Sequence, residues 1–143
     1  MARWYVRAVV VATLTLGMSA AAQPAGDARR FNGTWEVRLV CSVTSDGALG
    51  YTYVFPATVS DGHLHGQYGT QGQANSVTYD GTIQPDGRAI ISANGLTGDP
   101  LHNVGRVPNG VPYGYHFTAQ FEGTHGHGKK TEIRPCDVDI VRQ

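Results

Sequence analysis

From residue 34 onward the apolar residues of this chain recur at every second position, not at every third or fourth. In TWEVRLVCSV, Trp35, Val37, Leu39, Cys41 and Val43 share one face, with Glu36, Arg38 and Ser42 opposite. YTYVFPATV places Tyr51, Tyr53, Phe55, Ala57 and Val59 on one side. HLHGQYG sets Leu64, Gly66 and Tyr68 against His63, His65 and Gln67. VTYDGTI alternates Val77, Tyr79, Gly81 and Ile83 with polar partners, and RAIISA is more apolar throughout. YGYHFTAQF carries Tyr113, Tyr115, Phe117, Ala119 and Phe121 on one face, and the last segment carries Cys136, Val138 and Ile140 against Asp137 and Asp139. The dipeptides Asp46-Gly47, Asp61-Gly62, Asp86-Gly87, Asn94-Gly95 and Asn109-Gly110 supply turn chemistry between these runs. The pattern predicts an all-β fold of seven short strands.

An eighth strand is expected over Leu101–Val107, a weaker segment bracketed by Pro100 and Pro108. Parity argues for it. Cys41 lies on the inward face of the first strand and Cys136 on that of the last. A bond between them makes those strands neighbours, and an up-and-down barrel closes antiparallel only with an even strand count. The expectation is an eight-stranded antiparallel up-and-down β-barrel closed by one disulfide, with Gly81 marking a bend inside a strand. A β-sandwich stapled across its two sheets is the alternative. In an outer-membrane barrel the apolar face would turn to lipid, but the chain ends DIVRQ without a terminal aromatic residue and has few large aliphatics.

The first residues change the setting. Arg3 and Arg7 precede an apolar run from Ala8 to Met18 that is too short to span a bilayer, and Ala20-Ala21-Ala22 provides small residues for cleavage. Residues 1–22 therefore read as a signal peptide, 23–31 as an N-terminal arm and 32–143 as the barrel domain. Without the leader the chain keeps 9 basic and 11 acidic residues, no basic footprint for nucleic acid, and no further apolar stretch of membrane-helix length. A secreted or periplasmic protein meets an oxidising compartment, so a Cys41–Cys136 disulfide is expected, a free reactive thiol being the alternative.

FNGTWEVRLVCS, with Gly33-Thr34-Trp35, resembles the opening strand of the lipocalin and avidin (calycin) barrels, and SDGHLHGQYG resembles a hairpin of the streptavidin-like barrels. The resemblance covers the first two or three strands and the rhythm thereafter. It implies a small exported bacterial barrel that binds a ligand at its mouth, with a late arginine, Arg134 or Arg142, lying across Trp35. Avidin-like biotin sites use several tryptophans, whereas only Trp35 follows the leader. A weaker similarity is to exported barrel-shaped metalloprotease inhibitors, whose two cysteines lie close in sequence.

With eight strands, TSDGALG, TQGQANS, NGLTGDP and EGTHGHGKK share one end as long polar loops, and SDGH, QPDGR and VPNGVP close the other as tight turns. The long-loop end is the expected mouth. His63 and His65 then sit at the base and His125 and His127 at the mouth, too far apart for one four-histidine metal centre. Spacing defines no triad or paired-carboxylate site, and no cofactor is implied. Six inward tyrosines are many for a packed core, because each buried hydroxyl needs a partner. The expected function is a non-catalytic, monomeric binding module that holds a small molecule or a protein segment with Tyr51, Tyr53, Asn75, His125, His127 and Lys129. The alternative is an exported inhibitor or envelope interaction protein that engages its partner through the arm or the mouth loops.

Overall fold

Each of the seven period-two runs becomes a strand in the computed structural model, which describes residues 26–143. The leader and its expected cleavage point after Ala22 lie outside the described residues. The strands are β1 (Gly33–Cys41), β2 (Tyr51–Ser60), β3 (His63–Tyr68), β4 (Ser76–Ile83), β5 (Arg88–Leu96), β6 (Pro112–Glu122), β7 (His125–Lys130) and β8 (Cys136–Arg142). Every strand pairs antiparallel with the next, and β8 returns to β1, closing an up-and-down barrel. Cys41 stands directly opposite Cys136 in the β1–β8 register, and their sulfurs are bonded at 2.08 Å.

Eight strands are present, but the eighth is not the expected one. Residues Leu101–Val107 form no strand. Pro100 and Pro108 cannot donate to a ladder, and the segment coils into two short 3-10 turns, Pro100–His102 and Val104–Arg106. Asp99 caps the first by accepting from the Leu101 N–H at 2.9 Å. The missing strand is β7, whose sequence HGHGKK carries no apolar residue. Its inward positions are Gly126, Gly128 and Lys130. Glycine is needed there because β6 already fills the space. A Cβ on Gly126 would lie 2.8 Å from the Phe121 ring, and one on Gly128 would lie 2.8 Å from the Thr118 carbonyl and 3.0 Å from the Phe117 ring.

Exchanging one strand for the other moves two segments between ends. EGTHGHGKK becomes a two-residue turn (123–124) at the base followed by β7, and VPNGVP joins the mouth as part of a long β5–β6 loop, residues 97–111. The other connections fall as expected, with 42–50 and 69–75 at the mouth and 61–62 and 84–87 at the base. Residues 131–135 complete the mouth.

The lower half of the barrel is solid. Trp35, Val37, Leu64, Ile83, Phe121 and Ile140 are all essentially without solvent contact. The last residues of the segment read as an arm, Ala28–Phe31, form a 3-10 turn capped by Asp27, and Phe31 plugs the base. Its ring meets Phe121 edge-on at 5.8 Å, and Trp35 meets Phe121 at 5.5 Å. The buried Trp35 N–H donates to the Phe31 carbonyl at 2.9 Å, so it is not left unpaired. Of the two late arginines, Arg142 lies over the Trp35 ring at 5.2 Å. Its guanidinium also donates to the Arg30 and Asn32 carbonyls, tying the turn to β8. Outward positions carry Glu36, Arg38, Asp80, Lys129, Asp137 and Asp139, the reverse of a lipid-facing wall. No helix among the described residues is long and apolar enough to cross a membrane.

Candidate functional site: a tyrosine cup with two buried cations

Above the level of Phe55 the packing opens. A cavity of about 400 Å³ is lined by Tyr51, Tyr53, Tyr113, Tyr115, Lys130 and Arg134, with the loop residues Asn75, Thr97, Asp99 and His102 around its rim. Strand alternation places the four tyrosines. Tyr51 and Tyr53 are two apart on β2, and Tyr113 and Tyr115 are two apart on β6, so each pair shares the inward face. Tyr53 stacks on Tyr68 at 3.9 Å and 14°, and Tyr113 lies parallel to Tyr115 with centroids 6.2 Å apart. The floor is polar: the Tyr79 and Tyr115 hydroxyls hydrogen-bond to each other at 2.8 Å. Tyr53 donates to Asn75 Oδ1 at 2.7 Å. Burial raises the pKa of Tyr51, Tyr53, Tyr79, Tyr113 and Tyr115, because removing water disfavours the phenolate. For Tyr51 the nearby Arg134 charge offsets part of that rise.

The two cations enter from the β7–β8 side. Lys130 ends β7 on its inward face, 8% exposed, with Nζ 4.5 Å from the centre of the Tyr115 ring. Burial lowers its pKa, the Arg134 charge lowers it further, and Glu132 opposes both. Arg134 is turned inward by a three-residue turn in which its N–H donates to the Glu132 carbonyl at 2.6 Å. The centre of that turn, Ile133, has φ +61°, a left-handed conformation that a β-branched residue rarely adopts. Its side chain points to solvent at the rim, 79% exposed. The Arg134 guanidinium is 2% exposed and rests over the Tyr51 ring at 5.1 Å. None of its three side-chain nitrogens has a hydrogen-bond partner.

The mouth loops hold one another in place. The Asp46 carboxylate accepts from the Gly105 and Ala48 N–H groups and from the Thr44 hydroxyl, which together hold its pKa down at about 2. Arg106 donates to the Gly47 carbonyl at 3.3 Å, and Leu49 N–H donates to the Leu101 carbonyl at 2.9 Å. His102 Nδ1 faces the Gly50 carbonyl at 3.1 Å and must carry the proton, since a carbonyl only accepts.

Of the residues expected to bind, Tyr51, Tyr53 and Asn75 come together at the cup. His125, His127 and Lys129 do not. They lie on the outward face of β7, which rises from the base, and this corrects their expected place in a mouth loop. His127 Nδ1 is 3.0 Å from Asp139, and Lys129 lies 3.5 Å from Asp137. His63 and His65 are also outward, on β3, with His65 Nδ1 2.7 Å from Asp80. Both histidine pairs thus sit toward the base, separated by three strands, or about 19 Å of barrel wall at the usual strand spacing. Among the described residues no group of three or more His, Cys, Asp or Glu stands close enough to hold a metal.

A larger concavity of about 1200 Å³ saddles the outer wall from β3 to β7, bordered by His63, His65, Asp80, Arg88 and Lys129. Its charged groups are exposed and the pairs His65–Asp80, Arg88–Asp86 and Lys129–Asp137 are already formed. Exposed pairs are solvated whether or not anything binds. The smaller cup is the better site because its charges are buried and uncompensated.

Lys130 and Arg134 were the residues sequence reasoning missed. Alternation through HGHGKK would have turned Lys130 inward had that stretch been read as a strand; nothing local marks Arg134. Comparison with protein-family models, curated proteins and solved structures returns no match.

Proposed function

We propose that this protein is an exported, non-catalytic binding module that holds a small molecule in the tyrosine cup at the open end of its barrel. The observation that carries the reading is the contrast between the two halves of one interior. The base is filled by fully buried side chains, while the mouth keeps a cavity of about 400 Å³ walled by aromatic rings. An apolar cavity of roughly 150 Å³ accepts benzene, so this one has room for a two-ring compound. Support for the non-catalytic reading comes from the rim, where the Asp99 carboxylate and the His102 ring are both committed to loop backbone.

Kinship with the calycin barrels is supported by the Gly33-Thr34-Trp35 motif and by Arg142 lying across Trp35. Export is supported by the leader-like first residues and by the disulfide. Native mass spectrometry of the protein from its natural source tests the reading. A retained small mass that disappears in a Tyr53→Ala, Tyr113→Ala variant is expected; a bare protein mass counts against it.

A further inference from the structure

We infer that the ligand of the cup is an organic anion: a carboxylate or sulfonate on a planar, largely apolar body. This rests on the proposed binding role and adds the chemistry of the bound group. The unpaired Arg134 guanidinium, nine-tenths and more buried against the Tyr51 ring, carries the inference. Buried guanidinium groups ordinarily find carboxylates or carbonyls, because an uncompensated buried charge is among the costliest arrangements a fold can keep. Here a second buried cation, Lys130, shares the cavity, and the acid on its rim, Asp99, accepts from the Leu101 N–H instead. Glu132 and Asp99 are the nearby acids, and neither forms an ion pair with Arg134 or Lys130 among the described residues. Two like charges that share one cavity repel, and a single anion between them relieves both.

The rest of the wall describes the body of that anion. Tyrosine faces attract cations and pack against planar rings. Both cations are already on ring faces, leaving the slot between the β2 and β6 tyrosines for an aromatic group. Arg134 offers its planar fork to the two oxygens of a carboxylate, and Lys130 a point charge beside it. The Tyr51 and Tyr113 hydroxyls line the same cavity and can donate to the anion as well.

Calorimetric titration of the disulfide-intact protein with 2-naphthoate and with its neutral isostere 2-naphthamide tests this. The carboxylate is expected to bind at least tenfold more tightly, since hydrogen bonds to charged groups carry roughly tenfold to hundredfold in affinity. Arg134→Met is expected to erase that preference and, without ligand, to raise the melting temperature, because an unsatisfied buried charge is removed. Lys130→Met gives the same direction and serves if the first variant does not fold. Equal binding of acid and amide, with both weakened by Tyr113→Ala, overturns the anion and leaves the binding cup standing. Binding of neither compound, with an Arg134→Met variant less stable than the wild type, overturns both.

Discussion

Reduction of the Cys41–Cys136 bond is expected to cost this barrel about 4–5 kcal/mol. The two residues are register partners at the mouth end of the β1–β8 seam and lie 95 residues apart in the chain. A cross-link that closes so long a loop removes chain entropy from the unfolded state, and the logarithmic dependence on loop length puts the effect near the top of the usual range, about 4.7 kcal/mol. A domain of this size has a net stability of about 5–15 kcal/mol, so a third or more of it is at stake. The seam itself survives reduction, since β1 and β8 pair continuously from Trp35–Arg142 to Cys41–Cys136. The reduced chain should therefore fold to the same barrel with lower stability. Urea unfolding of the oxidised protein against a Cys41→Ala, Cys136→Ala variant measures it. At a slope of about 1–2 kcal/mol per molar, the midpoint should fall by about 2–5 M. A loss below about 1 kcal/mol would refute the reasoning, because it would mean that the unfolded chain already keeps its first and last strands together.

Arg142→Ala removes the cation over Trp35 and two hydrogen bonds that anchor the basal turn, so a loss of about 1–3 kcal/mol is expected, with a shift in Trp35 fluorescence. An unchanged melting temperature would show that Phe31 holds the base unaided. Gly128→Ala should destabilise by about 1–3 kcal/mol in thermal unfolding, because its Cβ would press on the Thr118 carbonyl and the Phe117 ring. A neutral or stabilising result would mean that β6 can give way. Tyr53, Tyr79, Tyr113 and Tyr115 have folded pKa values raised above the ordinary 10.0, so their contribution to stability is whole below pH 10 and is lost as the pH rises further. Tyr51 shifts in the same direction, and Lys130, with a lowered pKa, works in the opposite sense but below 10.5, where the tyrosine contribution is still nearly whole. Tyrosinate absorbance should accordingly show these four ionising only with unfolding; ionisation within the folded barrel would contradict the burial described.

Much of the barrel could be read from the chain because a strand buried on one face must alternate, and the interior accepts only apolar or aromatic groups. Trp35, Val37, Leu39 and Cys41 announce β1 in this way, and the run from Tyr113 to Phe121 announces β6. The need for an even number of strands, with Cys41 and Cys136 on inward faces, follows from the same alternation. β7 escaped because its inward positions are empty by design: Gly126 and Gly128 make room for rings that belong to β6, and that crowding exists only once the two strands lie side by side. Misplacing one strand carried His125 and His127 to the wrong end and Lys129 into a loop instead of onto the outer face of β7, although the expectation of long loops at one end and tight turns at the other holds for the remaining connections. The site divides along the same line. Tyr51, Tyr53 and Asn75 were accessible because parity and loop order are properties of the chain. Arg134 was not, since a guanidinium four residues past the end of a strand looks solvated until a turn at Ile133 swings it beneath the loops. The sequence by itself determined an all-β, disulfide-closed fold, its inward face and the tyrosines of its mouth, because these depend on local alternation. Only the tertiary structure decided where the unpaired charges lie, because burial of a charge is a property of what surrounds it.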